Sequence, residues 1–228
     1  MEFLDQITEG KKKFTKRIRY SQLKSFFNFI RKNHDASINN PCFDSTIRKK
    51  YSHYPRLRWD ILEKDVVDEV IFRTTKLRTR LILELMARGG MRIGEVLKLL
   101  PSDLQDRKLR LRNPKSGREQ EFVFIPRKLS DRLREYVREN EIRNNERLFP
   151  ISYEAARYAV IKSGDRVGIH LRPHDLRRHA ATYASRSGVP LEIVSKVILR
   201  HVNIATTQLY LGTVTDTEAK RWIDNLYS

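Results

Sequence analysis

The apolar pattern of this chain keeps a helical period along almost its whole length and breaks it in one place. Leu23, Phe26, Phe27 and Ile30 recur at i, i+3, i+4 and i+7, which predicts an amphipathic helix over 20–32. Asp60 followed by Glu63 has the spacing of a capping box, and Leu62, Val66, Val67 and Val70 continue it as a helix. Leu77, Leu81 and Leu85 carry the next helix, stopped by Gly89-Gly90; Ile93, Val96, Leu97 and Leu100 form another stripe, ended by Pro101. The period then becomes two in KLRLR (108–112) and EFVFI (121–125), with Asn113-Pro114-Lys115-Ser116-Gly117 as a turn between them. After Pro126 the helical period returns at Leu129, Leu133 and Val137, and further helices are predicted at 153–163, 174–187, 190–200, 203–211 and 216–226. Gly188 stops one of these and Pro190 starts the next. The fold class is therefore mainly α with a small antiparallel β-sheet (α+β), and there is no internal repeat.

Charge divides the chain unevenly. Among 228 residues, 46 Lys and Arg outnumber 28 Asp and Glu, a net charge of +18, and half of that excess falls within residues 1–58. Asn39-Asn40-Pro41 marks a turn in this stretch, and 42–58 is basic and aromatic without a clear period. A domain boundary is expected near residue 58, separating a basic, partly helical N-terminal segment from a larger domain over 59–228. A surface so positive favours a polyanionic partner, because each phosphate it neutralises releases counterions. Lys11, Lys12, Lys13, Lys16, Arg17, Arg19, Lys49 and Lys50 are the candidate DNA-binding residues. No run approaches the ~20 apolar residues of a membrane span, and the N-terminus lacks the apolar stretch of a secretory signal. The single cysteine, Cys42, cannot close an internal disulfide or build a cysteine zinc cage. The expected setting is cytoplasmic and DNA-associated, with no membrane partner.

The densest polar cluster is HLRPHDLRRHAATYASRSG (170–188), with three His, four Arg and one Asp. His170 and His174 have the four-residue spacing of a helical zinc motif. Pro173 lies between them and biases its predecessor away from helix, and the general-base Glu of that motif is absent. His174-Asp175 as a metal-phosphohydrolase pair lacks further ligands. No metal site and no cofactor are expected. His174 and Arg177 instead stand at i, i+3 on a helix that starts after Pro173, and a guanidinium beside an imidazole suits a phosphate.

ILRHVNIATTQLY (198–210) adds His201 nine residues before Tyr210, and here the chain resembles a family. ARGGMRIGEVLKL (87–99), HDLRRHAAT (174–182) and LRHVNIATTQLY (199–210) resemble the motif boxes of the tyrosine recombinases, also called the phage integrase family. The resemblance implies a tyrosine-recombinase catalytic domain with a shortened helical N-terminal piece. Carried over residue by residue, Arg92 and Arg177 are its catalytic arginines, His174 and His201 its histidines, Tyr210 its nucleophile and Lys115 its hairpin lysine. Glu95, three residues beyond Arg92, is expected to buttress that arginine or to cap the helix.

The implied chemistry is coherent. Arg92 and Arg177 clamp the non-bridging oxygens as their charge grows, and His201 donates a further hydrogen bond. Tyr210, a weak nucleophile at its ordinary pKa near ~10, needs a proton acceptor, for which His174 is the candidate. Lys115 protonates the leaving 5′-oxygen. The product is a 3′-phosphotyrosyl bond that stores the energy for religation, with no ATP or metal required. The implied partner is double-stranded DNA, with a homo-tetramer assembled on two sites; the apolar stripe of Ala219, Ile223 and Leu226 suggests a tail over 216–226 that packs on a neighbouring protomer or back on its own. The rivals are a type IB topoisomerase-like relaxing enzyme and a DNA-binding protein that kept the fold. Two departures stand out: only 58 residues precede the catalytic segment, where the family carries a longer helical domain, and Arg200 stands where it often has Gly.

Overall fold

The computed structural model describes residues 2–52, 61–112, 121–208, 211, 220 and 223–224. The chain divides into two compact units, Met1–Arg58 and Trp59–Ser228. Among the described residues no helix is long and apolar enough to cross a membrane.

The smaller unit holds more helix than its pattern predicts. Helices α1 (Glu2–Thr8), α2 (Lys13–Asn33) and α3 (Ser45–Tyr51) surround a core of Leu4, Tyr20, Cys42 and Tyr51. The helix expected over 20–32 starts at Lys13, so the lysine-rich run lies partly inside it. The aperiodic stretch 42–58 contains a 3₁₀ turn (Pro41–Phe43) and α3. Each short helix has a local cause: Asn40 accepts from the Cys42 N–H, and Asp44 accepts from the N–H groups of Thr46 and Ile47. Tyr20 stacks on Tyr51 and donates its hydroxyl to the Cys42 carbonyl at 2.8 Å. Both reasons why sequence missed α1 and α3 are visible here. α1 buries only Leu4 and Thr8 and α3 only Tyr51, too few positions to print a period.

The larger unit is built around α5 (Leu77–Gly89), which is buried on nearly every side through Leu81, Leu83, Leu85 and Met86. Helices α4 (Lys64–Arg73), α7 (Arg127–Glu139), α8 (Tyr153–Asp165) and α9 (Pro173–Arg186) pack around it. Burial of that many full-sized aliphatic side chains, each worth roughly 1.5–3 kcal/mol, holds the unit together. The residue expected to open the α4 capping box, Asp60, lies outside the described residues, and Glu63 takes the N-cap position. Short helix α6 (Ile93–Val96) follows the glycine pair. The expected hairpin is a three-stranded antiparallel sheet: β1 (Leu104–Gln105), β2 (Lys108–Leu111) and β3 (Glu121–Phe124) in the order β1-β2-β3, with Leu109 opposite Val123. Leu109, Leu111 and Val123 face the core, as the alternation requires.

The helix expected over 190–200 is interrupted. One α-turn, α10 (Leu191–Ile193), passes into a π-helical turn over Val194–Ile198, and the chain then bends at Arg200, whose φ is +54°. Helix α11 (Ile204–Gln208) begins after Asn203, whose side chain accepts from the Ala205 N–H. Most of the helix expected over 216–226 lies outside the described residues.

Candidate active site

The site starts from the end of α5. Gly90 caps that helix in the left-handed region (φ +60°), which turns its carbonyl inward; the oxygen accepts hydrogen bonds from the Arg177 and Arg200 guanidiniums. A Cβ at Gly90 would lie 2.8 Å from the Ile198 carbonyl oxygen, so a side chain there faces both backbone strain and a clash. Gly90→Ala is expected to destabilise the protein by about 1–3 kcal/mol in urea unfolding. A loss below about 0.5 kcal/mol, the size of an ordinary surface substitution, would contradict this packing.

The turn after Gly90 delivers Arg92 to the N-cap of α6, with Glu95 at its third position. Glu95 both caps and buttresses. Its carboxylate accepts from the Arg92 backbone N–H at 2.8 Å and from Arg92 Nη1 at 2.6 Å, and a third bond comes from Arg200 Nη2 at 2.8 Å. Burial would push the Glu95 carboxyl up, but the Arg200 charge and the Arg92 hydrogen bonds outweigh it and leave the pKa below its ordinary value. Glu95 is therefore an anion at neutral pH.

Helix α9 supplies the next two groups. Pro173 occupies its first turn, and Asp175 accepts from the Arg172 N–H at 2.9 Å, which fixes where the helix begins. His174 and Arg177 then project one turn apart, as their spacing predicts. Arg177 is 1% exposed and donates to the carbonyls of Gly90 and Leu199. His174 stands exposed, yet partial desolvation of its ring lowers its pKa, helped by the charges of Arg177, Arg178 and Arg92. Arg92, His174 and Arg177 line one cavity of about 230 Å³, together with Lys98, Arg112 and Tyr153. Its charged lining is cationic apart from Glu95. Among the described residues no group of three His, Cys, Asp or Glu is placed to hold a metal ion.

His201 follows the Arg200 bend. Its backbone N–H donates to the Ser195 carbonyl at 2.9 Å, and its Nδ1 lies 2.9 Å from the Thr207 hydroxyl, which reaches Ser195 Oγ at 2.8 Å. Burial, then the charges of Arg177, Arg92 and Arg200, lower its pKa to about 4. Both site imidazoles are thus neutral at neutral pH. With the Thr207 hydrogen donated onward to Ser195, Nδ1 of His201 carries the ring proton and Nε2 is an acceptor. Turning the two hydroxyl hydrogens the other way makes Nε2 the donor.

Of the expected site residues, Arg92, Glu95, His174, Arg177 and His201 form one connected neighbourhood, whereas Lys115 and Tyr210 lie outside the described residues. Leu211, next in the chain after Tyr210, packs beside Ala181, Val194 and Leu199, and its N–H donates to the Thr207 carbonyl at 3.2 Å. The candidate DNA-binding residues belong to the smaller unit. Lys11, Lys12, Lys13, Arg19, Lys49 and Lys50 are exposed, Lys16 and Arg17 are half-buried, and Lys50 pairs with Asp5 at 2.5 Å. Sequence reasoning passed over Arg112, Ser195 and Thr207. Arg112 left a signal in the alternating KLRLR run; the two hydroxyls left none.

Guanidiniums at the end of α5 and the start of α9 gather with two neutral imidazoles in a helical domain, a set of groups chemically suited to an oxyanion. Residues 61–215 match the phage integrase family, and the chain belongs to that family, the tyrosine recombinases. It is 31% identical over 157 residues to tyrosine recombinase XerA of Saccharolobus solfataricus, covering 68% of this chain and 53% of that protein. It is 28% identical over 205 residues to XerA of Pyrococcus horikoshii, covering 85% of this chain and 67% of that one. The chain thus spans roughly half to two thirds of these relatives. Among solved structures, XerA recombinase superposes with a TM-score of 0.64 at 19% identity, over 100% of this chain and 81% of that one. The XerH site-specific recombinase in its post-cleavage complex with palindromic difH superposes with a TM-score of 0.73 at 19% identity, over 100% of this chain and 69% of that one. Both show the same fold.

Proposed function

We propose that this chain cleaves and rejoins DNA strands as a site-specific recombinase, through a 3′-phosphotyrosyl intermediate on Tyr210. The observation that carries the reading is the meeting of Arg92, His174 and Arg177 on one cavity, with His201 inside the field of the same guanidiniums. Arg92 and Arg177 neutralise the two non-bridging oxygens of the scissile phosphate, whose charge grows as a fifth oxygen approaches phosphorus. The phenolic oxygen of Tyr210 forms the new P–O bond, its proton passes to neutral His174, and the bond to the 5′-oxygen breaks as Lys115 donates a proton to it. One phosphodiester replaces another, so the reverse sequence with a different 5′-hydroxyl completes strand exchange. His201 donates to the phosphate from Nε2 once the Thr207 hydroxyl has turned toward Nδ1.

Residues 59–228 serve as the catalytic domain in this reading, and the basic segment 1–58 holds duplex DNA by its phosphates. Recombination needs four such chains on two duplexes, in the DNA-containing compartment of the cell. The test is incubation with a duplex nicked beside the cleavage position, in EDTA, followed by denaturing electrophoresis and peptide mapping. A denaturant-stable adduct on a tyrosine is expected. Noncovalent binding without any adduct would overturn the catalytic reading and leave a DNA-binding protein. Relaxed plasmid without recombinant products from a two-site substrate would instead favour a relaxing enzyme.

A further inference from the structure

Arg200 is a buried cation that the proposed chemistry does not use. Its side chain is 1% exposed, and its backbone is held in the left-handed region that a non-glycine residue occupies only at a cost. The guanidinium spends its donors on three elements. Nη1 donates to the Ile198 carbonyl at 2.7 Å, and Nη2 reaches both Glu95 Oε2 at 2.8 Å and the Gly90 carbonyl at 3.2 Å. Nε lies 3.8 Å from the buried Glu121 carboxylate at the start of β3, an ion pair without a hydrogen bond; among the described residues neither Nε nor the other Glu121 oxygen has a hydrogen-bond partner.

We propose that Arg200 is a positioning residue that locks the two phosphate-gripping arginines together and ties them to strand β3. The inference rests on the recombinase reading and deepens it. Two acceptors are shared: Glu95 between Arg92 and Arg200, and the Gly90 carbonyl between Arg177 and Arg200. Shared acceptors fix the relative positions of their donors, so Arg92 and Arg177 move as one unit. Arg200 also changes the charge balance. Without it, Glu95 would spend its whole negative charge on Arg92 and weaken the field that Arg92 presents to the cavity. Glu121 would stand buried and uncompensated, a costly state.

Arg200→Gly removes the guanidinium while relieving the backbone, and Arg200→Lys keeps the charge with a single ammonium that cannot span the same acceptors. Single-turnover adduct formation is expected to fall about 10–100-fold in Arg200→Gly and by less in Arg200→Lys, by analogy with groups that orient metal ligands. Duplex affinity should stay within about threefold, because the phosphate-contacting residues remain. The double variant Arg200→Gly, Glu121→Gln is expected to recover part of the lost rate, since it removes the uncompensated carboxylate. A DNA-free readout runs in parallel: imidazole NMR should show a higher His201 pKa in Arg200→Gly than in the unsubstituted protein, where the Arg200 charge helps to lower it. If Arg200→Gly does not fold, Arg200→Lys and Glu121→Gln carry the comparison. Adduct rates within about twofold of the unsubstituted protein in both Arg200 variants, with His201 unmoved, would overturn the proposal. If the unsubstituted protein makes no adduct, the recombinase reading fails, and urea unfolding decides for Arg200: partial recovery of Arg200→Gly stability by Glu121→Gln supports the buried link, and no recovery overturns it.

Discussion

Tyr210→Phe should eliminate the covalent protein–DNA adduct while leaving duplex binding intact. The phenolic oxygen is the only atom the substitution removes, and it is the atom that bonds to phosphorus in the proposed reaction. The ring stays, and Leu211 keeps its packing beside Ala181, Val194 and Leu199, so the segment has no new reason to shift. Affinity depends on Lys and Arg contacts to phosphates, which a phenol contributes to weakly, and should remain within about threefold. No other group restores the product: a water molecule attacking in place of Tyr210 yields a nick, not an adduct. The chain has nine tyrosines, and three of them, Tyr153, Tyr158 and Tyr183, expose large parts of their rings. An adduct that persists in Tyr210→Phe would move the nucleophile to one of the eight others and dissolve the assignment of His201 as its near neighbour in sequence.

Much of the larger unit was legible because its signals are local. Gly89-Gly90 stops α5 where the left-handed cap lies, Pro173 opens α9, and the alternation in 108–112 and 121–125 builds β2 and β3. These signals also place the site. The glycine cap sets the start of α6 and hence Arg92, and Pro173 sets the phase that puts His174 and Arg177 on one side. The three-residue spacing from Arg92 to Glu95 allowed either a cap or a buttress, and one carboxylate performs both tasks because its two oxygens take different donors.

What sequence could not show depends on contacts between distant segments. Among the described residues the smaller unit buries four core residues, so α1 and the first turns of α2 carry no readable stripe, and the lysine run lies partly in helix. Over 190–200 the apolar spacing fits an α-helix, but Arg200 pairs with residues as far back as Gly90, and the chain accommodates it through a π-turn and a positive φ. In the sequence Arg200 stood out only as a departure from a glycine; its burial against Glu95 and Glu121 gives that departure a physical content. The neutrality of His201 is largely nonlocal, arising from burial and from Arg177 and Arg92, which reach it from other elements, beside its chain neighbour Arg200.

Arg177→Ala is expected to damage stability and rate together, whereas Arg92→Ala should damage rate almost alone. Arg177 is 1% exposed and donates to the Gly90 and Leu199 carbonyls, so truncation takes the donor from the Leu199 carbonyl, leaves Gly90 with Arg200 alone, and opens a void where the guanidinium lay. An unsatisfied buried acceptor together with a void of that size costs about 3–5 kcal/mol. Arg92 has 28% of its side chain exposed, and its partner Glu95 keeps Arg200 when Arg92 is gone, so its removal strands no charge. Its stability cost should stay near about 1 kcal/mol, the range of a part-exposed ion pair. In single-turnover cleavage each substitution should cost on the order of 10²–10³, because each withdraws a preorganised donor from the transition-state phosphate. Urea unfolding and cleavage rates, measured at a temperature where both variants remain folded, separate the two effects. Equal stability losses would mean that Arg92 is as structural as Arg177, and cleavage within about threefold of the unsubstituted protein would remove that arginine from the phosphate clamp.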